Sequence, residues 1–260
     1  MAGGEGGVTV KSSRELEFMR RAGQVVAQVK AELREAIRPG VTTGELDRLA
    51  EGSVRELGAT PSFKGYKGVS STPFPSTICV SINEEIVHGI PGNRILKDGD
   101  MVSVDVGAVV EGFHGDSAFT MSVGDASEEA DRLIESTRKA LSAGISQAKA
   151  GSRVGDISAA VQSYAEGLGY SVVRQYVGHG IGRALHEEPQ VPNYGKPGHG
   201  PRLAAGMVLA IEPMVNSKSA GIRILQDKWT AVTVDGGYSA HFEHSVAVTD
   251  NGPWILSKLN

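Results

Sequence analysis

The stretch that decides the fold is AIRPGVTTGELDRLAEGSVRELG, residues 36–58, because it returns as QAKAGSRVGDISAAVQSYAEGLG, residues 147–169. Gly40, Gly44 and Gly58 match Gly151, Gly155 and Gly169 at one constant offset. Further out, His88-Gly89-Ile90 recurs as His179-Gly180-Ile181, and Gly99 lies six residues before Asp105 as Gly206 lies six before Glu212. Each half reads helix, helix, strand, HGI, strand, acid. Three features repeating in the same order are more than chance glycine spacing. The repeat predicts two similar halves, about 12–125 and 126–256, with their strands in one sheet, their helices on one face and a pseudo-symmetric site between them. Nothing between Val123 and Ser127 reads as a linker, so residues 12–260 are expected as one α/β domain behind a Gly-rich, disordered tail over residues 1–11.

Local signals agree with that order. Ser12 to Glu15 reads as a capping box, and Leu16, Met19, Val26, Val29, Leu33 and Ile37 follow at helical spacing until Pro39-Gly40. A second helix is expected from about Thr43 to Gly58. Ile78 to Ile82 reads as a strand, and Met101 to about Val123 as a hairpin with Glu111-Gly112 near its turn. Ser127 opens a third helix, with Leu133, Ile134, Leu141 and Ile145 on its apolar side and Gly151 at its end. A fourth is expected from near Gly155 to Gly169.

Composition sets the class. The chain has 260 residues, 40% apolar and 22% charged, enough for a sizeable core without covalent staples. A formal charge of −4 gives no basic excess for dedicated nucleic-acid binding. Cys79 is the single cysteine, so no internal disulfide framework exists. No run approaches the length of a membrane span, and the start MAGGEGG lacks a charged-then-apolar signal pattern. A cytoplasmic protein is expected.

The acids stand where the halves should meet. In MVSVDVG, Val102, Val104 and Val106 alternate with Met101, Ser103 and Asp105, which puts Asp105 on the face away from the apolar one. Asp116 lies on the return strand, so a hairpin centred near Glu111 brings the two aspartates within a residue or two of register. Carboxylates this close repel unless a cation or a shared proton intervenes. Glu212 sits in apolar VLAIEPM and Glu243 in SAHFEHSVAV, both read as strands. The repeat pairs Asp105 with Glu212 and Asp116 with Glu243. With His179, set among glycines, these four acids make a ligand set for two divalent cations. Oxygen-rich ligation with one imidazole suits Mn, Fe, Co or Zn and argues against a thiolate zinc site. Two such ions side by side serve hydrolysis.

INEEIVHGIP (82–91), SVDVGAVVEGFHGD (103–116), GHGIGRALHEEP (178–189), GMVLAIEPM (206–214) and HFEHS (241–245) together resemble the methionine aminopeptidases, type I, in the minimal bacterial form. The resemblance runs from about Ser12 to Leu256. It implies the pita-bread fold, an internally duplicated, curved antiparallel sheet covered by helices. It further implies that Asp105 holds one metal, that His179 and Glu212 hold the other, and that Asp116 and Glu243 bridge. Water activated there would attack the peptide carbonyl after an N-terminal methionine, with Glu212 helping to move the proton and a small second residue preferred. His88 and His186 match the two histidines that contact substrate without binding metal. Tyr66, Phe74, Cys79 and Trp229 match the methionine pocket. The implied substrates are the N-terminal Met peptides of nascent polypeptides. The ribosome is a transient partner, no nucleic acid or membrane is bound directly, and the chain acts as a monomer.

Three departures stand out. Val69 to Pro73 looks like an insertion that unsettles the Tyr66 assignment. Leu185 replaces a common aromatic. His241 replaces a usual glutamine, and its role stays open between a hydrogen bond to a metal ligand and a packed or solvated ring. His114, His199 and His244 have no ligand partner in the sequence. Arg20, Arg21 and Lys30 read as a solvated helix face. The rival readings are a proline-specific peptidase, which would carry a large N-terminal domain, and a non-catalytic peptide-binding relative, which would have lost ligands. The His179 to Glu212 interval has no room for the long insertion of type II enzymes, and no zinc-finger cysteines precede the first helix.

Overall fold

The computed structural model of the chain describes residues 7–68 and 72–259. Its helices form where caps and apolar spacing place them: α1 Ser13–Ala36, α2 Thr43–Glu56, α3 Glu128–Ser146 and α4 Val154–Glu166. Ser12 with Glu15 and Thr42 with Glu45 close reciprocal capping boxes, satisfying amides that would otherwise be orphaned. In the second half Ser127 caps α3, and the Asp156 carboxylate accepts from the Arg153 N–H at the start of α4. The matched glycines now have a cause. Gly40 and Gly151 (φ +94° and +92°) and Gly58 and Gly169 (φ +73° and +86°) hold the left-handed conformation that strains any side chain. A Cβ on Gly44 would lie 2.9 Å from the Gly92 carbonyl, and one on Gly155 would lie 2.3 Å from that of Lys196. Both helices therefore start pressed against a loop.

The first half supplies strands β1 Thr60–Pro61, β2 Ile78–Ile82, β3 Glu85–Val87, β4 Met101–Val110 and β5 Phe113–Ser122. The second supplies β6 Ser171–Val172, β7 Gly178–Gly180, β8 Glu187–Val191, β9 Val208–Ile211 and β10 Met214–Asn216. It continues with β11 Ile222–Ile224, β12 Ala231–Thr233, β13 Ser239–His241, β14 His244–Thr249 and β15 Gly252–Ile255. In the first sheet β4 is central, with β5 on one edge and β1 and β2 sharing the other. Its counterpart runs β15-β14-β9-β7-β8. Two smaller sheets, β13-β10-β6 and β11-β12-β3, complete the set, and every pairing is antiparallel. Helices and strands of both halves share one core, in which Val26, Leu33 and Leu46 meet Val104, Phe119, Ile157, Leu209 and Val246.

The strands thus form four hydrogen-bonded sets, not the single sheet expected from the duplication. The reason lies at the seam between β5 and β13–β14, where hydroxyls replace backbone ladder bonds. Thr120 Oγ1 accepts from the His241 N–H and donates to the His241 carbonyl, each at 2.8 Å. Ser245 Oγ accepts from the Asp116 N–H at 3.0 Å and donates to the Asp116 carbonyl at 2.8 Å. Between these two clamps the Glu243 N–H reaches the Ala118 carbonyl directly, at 3.1 Å.

The start of the chain also departs from expectation. Residues 1–6 of the predicted tail lie outside the described residues, but the last part of that tail is tied down. The Lys11 N–H donates to Gly206, its buried ammonium pairs with Glu187 at 2.8 Å, and Thr9 donates to the same carboxylate at 2.6 Å.

Candidate metal centre

Asp105 stands opposite Ala118, and Asp116 opposite Gly107, so the two aspartates are diagonal neighbours on one face of the β4–β5 hairpin. Val102, Val104 and Val106 point the other way, into the core. His179 lies on β7, directly paired with Ala210 of β9. The two glutamates are not inside strands as read. Glu212 lies one residue past β9, and Glu243 sits in the short break between β13 and β14. The bends keep their backbones bonded: Asn193 Nδ2 donates to the Glu212 carbonyl at 3.0 Å and Ser117 Oγ to the Glu243 carbonyl at 2.5 Å.

Ligand atoms of Asp116, His179 and Glu243 lie within 4.8 Å of one another, and these residues are only 4%, 6% and 2% exposed. One oxygen each of Asp105, Asp116 and Glu243 is buried without a hydrogen bond. Burial pushes the Asp105 carboxyl up to about 6. Burial and then the neighbouring carboxylates push Asp116, Glu212 and Glu243 well above their usual range. Burial lowers His179 to about 3, so its ring is neutral. Its Nδ1 lies 2.8 Å from the Gly180 carbonyl, which can only accept, so the proton sits on Nδ1 and Nε2 is a bare lone pair. That lone pair is 3.3 Å from Glu212 Oε1. Acceptors converging in this way need protons or cations between them, and the all-oxygen-plus-imidazole donor set fits divalent cations.

The two HGI triplets match in sequence order but not in place. In the second half the triplet's own strand, β7, hydrogen-bonds to the strand leading to Glu212. In the first half β2 occupies that position against β4, and the triplet lies on the far edge of β2, where the Val80 N–H donates to the Gly89 carbonyl at 2.9 Å. His88 is therefore one strand further from the acids than His179. It adopts φ 61° and meets Trp229 and Tyr176 edge-on, at centroid distances of 6.1 and 5.2 Å. His186 approaches from the other side, its ring 4.2 Å from that of His179, with Nδ1 2.6 Å from the Tyr66 hydroxyl.

Phe74, Cys79 and Leu185 are buried in one apolar cluster with Tyr66 and Trp229 packed on it. Of the segment Val69 to Pro73, residues 69–71 lie outside the described residues. Its flanks close on each other, with the Phe74 N–H donating to the Tyr66 carbonyl at 2.7 Å. Tyr66 and Phe74 thus share one wall. Cys79 faces Asp105 across the strands, and burial followed by that carboxylate keeps its thiol protonated.

His241 is buried, its Nε2 without a partner and 3.8 Å from Glu212 Oε2. His114 bonds Ser62, and His199 lies within hydrogen-bond reach of the Pro197 carbonyl. Lys30 corrects the sequence reading of a solvated face. It is 6% exposed, and its ammonium donates to Ser117 Oγ, behind the centre. Burial and then the Arg34 charge push it down to about 7, against the pull of Glu243, Asp105 and Asp116. Helical spacing marks Lys30 as facing the same way as Val26 and Leu33, the one signal that could have found it.

The family model of metallopeptidase family M24 matches residues 17–250. A Bacillus subtilis protein named methionine aminopeptidase 1 is 53% identical over 97% of this chain and 100% of its own length. Its Mycobacterium tuberculosis namesake is 47% identical over 96% and 95%. The crystal structure of methionine aminopeptidase from Thermotoga maritima superposes with a TM-score of 0.94 at 46% identity, covering 97% of this chain and all of that one. A Pyrococcus horikoshii prolidase, at 22% identity and a TM-score of 0.77, shares the pita-bread fold, and this chain covers 64% of it. With matches of this extent, the chain belongs to the M24 metallopeptidases, on their methionine aminopeptidase branch.

Proposed function

We propose that this metallopeptidase hydrolyses the peptide bond after the N-terminal methionine of nascent polypeptides, using two divalent cations and preferring a small second residue. The observation that carries the reading is the convergence of buried, unpartnered carboxylate oxygens with the bare Nε2 of His179. Asp105 would hold one cation, His179 and Glu212 the other, with Asp116 and Glu243 shared, and Mn, Fe, Co and Zn all suit the set. Bound there, the cations supply the Lewis acid that polarises the scissile carbonyl and activates water. Glu212, beside the proposed cation, would accept the proton of the attacking water and deliver it to the leaving amine. Burial raises the Tyr66 phenol, so it keeps its proton, and we assign that proton to the 2.6 Å bond to His186 Nδ1. His186 Nε2 then carries the ring proton and can donate to the developing negative charge on the substrate oxygen. His88 orients the substrate from the opposite side. The wall of Phe74, Cys79, Leu185, Tyr66 and Trp229 takes the flexible thioether.

No helix among the described residues is long and apolar enough to cross a membrane. Activity on nascent chains places the protein in the cytoplasm, as a monomer that meets the ribosome transiently. The test is a peptide panel on chelator-stripped protein with each metal restored. Met-Ala-Ser should be cleaved well, Met-Leu-Ser poorly and Ala-Pro-Ser not at all. Equal rates on the first two would remove the second-residue preference, and cleavage of the third would point to a proline peptidase.

A further inference from the structure

At the seam, a cavity of about 480 Å³ opens between α1, α3 and the C-terminal strand. Lys30, Arg34, Arg138, Lys258 and His244 line it, and no aspartate or glutamate does. Four basic side chains facing one concavity repel one another. Arg34 is held below the usual guanidinium range by burial, and its charge helps to depress Lys30. Arg34 lies over the face of Phe119, 4.0 Å from the ring centroid, and has no hydrogen bond and no carboxylate partner among the described residues. Arg138 gives Nε and Nη2 to Glu135 and keeps Nη1 free. Ser257 Oγ accepts from the Ser245 N–H and lies 2.8 Å from His244 Nδ1.

We propose that this cavity is an anion site that binds a phosphate-class dianion through Arg34, Arg138 and Lys258, with Lys30 beneath it. An open guanidinium fork beside a second, half-engaged one matches the oxygens of a tetrahedral dianion, and each such bond is charge-assisted. The concave shape and the buried lysine favour a small molecule over a polymer backbone, which needs a convex or open track. The site is separate from the proposed metal centre, since none of Asp105, Asp116, His179, Glu212 and Glu243 lines it.

Calorimetric titration of metal-loaded protein with inorganic phosphate, and separately with sulfate, at ionic strength matched with sodium chloride, tests this. Sulfate serves as the dianion with little affinity for the metals. One equivalent of each should bind with a Kd of about 1 mM or tighter. Arg34→Gln should weaken both by about tenfold or more, the scale of one charge-assisted hydrogen bond, while leaving metal content and kcat unchanged. Arg138→Gln, on a different helix, should weaken both as well. Absence of heat with either anion overturns the proposal. So does phosphate binding that survives both substitutions, which would place the anion on the metals.

Discussion

His179 Nε2 lies 3.3 Å from Glu212 Oε1, and because His179 gives its ring proton to Gly180, both facing atoms are acceptors. A proton or a cation must join them. Metal binding should therefore release protons. Asp105, raised to about 6 in the metal-free protein, is protonated below that pH, and Asp116, Glu212 and Glu243 are raised well above their usual range, so an incoming cation must displace protons. Metal affinity should fall roughly tenfold per pH unit, per proton displaced, as pH drops through 6. Metal titrations in two buffers of different ionisation enthalpy, at about pH 5 and pH 7.5, read this directly. Pure buffer-independent heats at the lower pH would contradict it.

Chelation should abolish peptidase activity, and Mn, Co or Fe should restore it. Asp116→Ala and Glu243→Ala should be the most damaging ligand changes, because each carboxylate is assigned to both ions. Their metal stoichiometry should fall further than that of Asp105→Ala, which touches one. Equal stoichiometry across the three variants would rule out the shared role.

The strand inserted between His88 and the acids separates two histidines that the sequence repeat makes equivalent. His88→Ala should keep its metal content and lose kcat by about 10²–10⁴-fold, the usual effect of removing a positioned proton donor or acceptor. His179→Ala should instead lose affinity at one metal position and be partly rescued by added metal. Calorimetry beside steady-state kinetics separates them, and the reverse outcome would exchange the assignments.

Ser245→Ala removes both bonds to the Asp116 backbone and leaves a buried N–H and carbonyl unpaired. Each orphaned group costs about 1–3 kcal/mol, so thermal and chemical unfolding should both show a loss in that range. Ser245→Thr, which restores the hydroxyl, should recover most of it if the added methyl is accommodated. A melting temperature unchanged in Ser245→Ala would mean that the seam contributes nothing to stability.

Much of this was legible because glycine and short-range pattern carry it. Left-handed conformations at Gly40 and Gly151 and the tight contacts at Gly44 and Gly155 demand the same residue in each half, so the duplication survives in the letters. The signals at Ser12 and Ser127 and the alternation through Asp105 marked helices and hairpin for the same local reason. What was missed is tertiary. Glu212 and Glu243 read as strand residues because their flanks are apolar, yet both sit in bends held by Asn193 and Ser117, partners 19 and 126 residues away. The order of strands beside the two HGI triplets, the burial of Lys30 and the strap at Lys11 likewise depend on what lies opposite, which no periodicity records.

The hydroxyl clamps at Thr120 and Ser245 make the spacing between the two halves a matter of side-chain length. In an ordinary ladder the gap between neighbouring strands is fixed by the peptide bond and cannot be tuned. Here it is fixed by two short alcohols, one from each half, placed on either side of the Ala118–Glu243 contact. The distance from Asp116 to Glu243, and with it the size of ion that the centre accommodates, can then drift through changes at residues that never touch a metal. Two chains with identical ligands can differ in the ion they select.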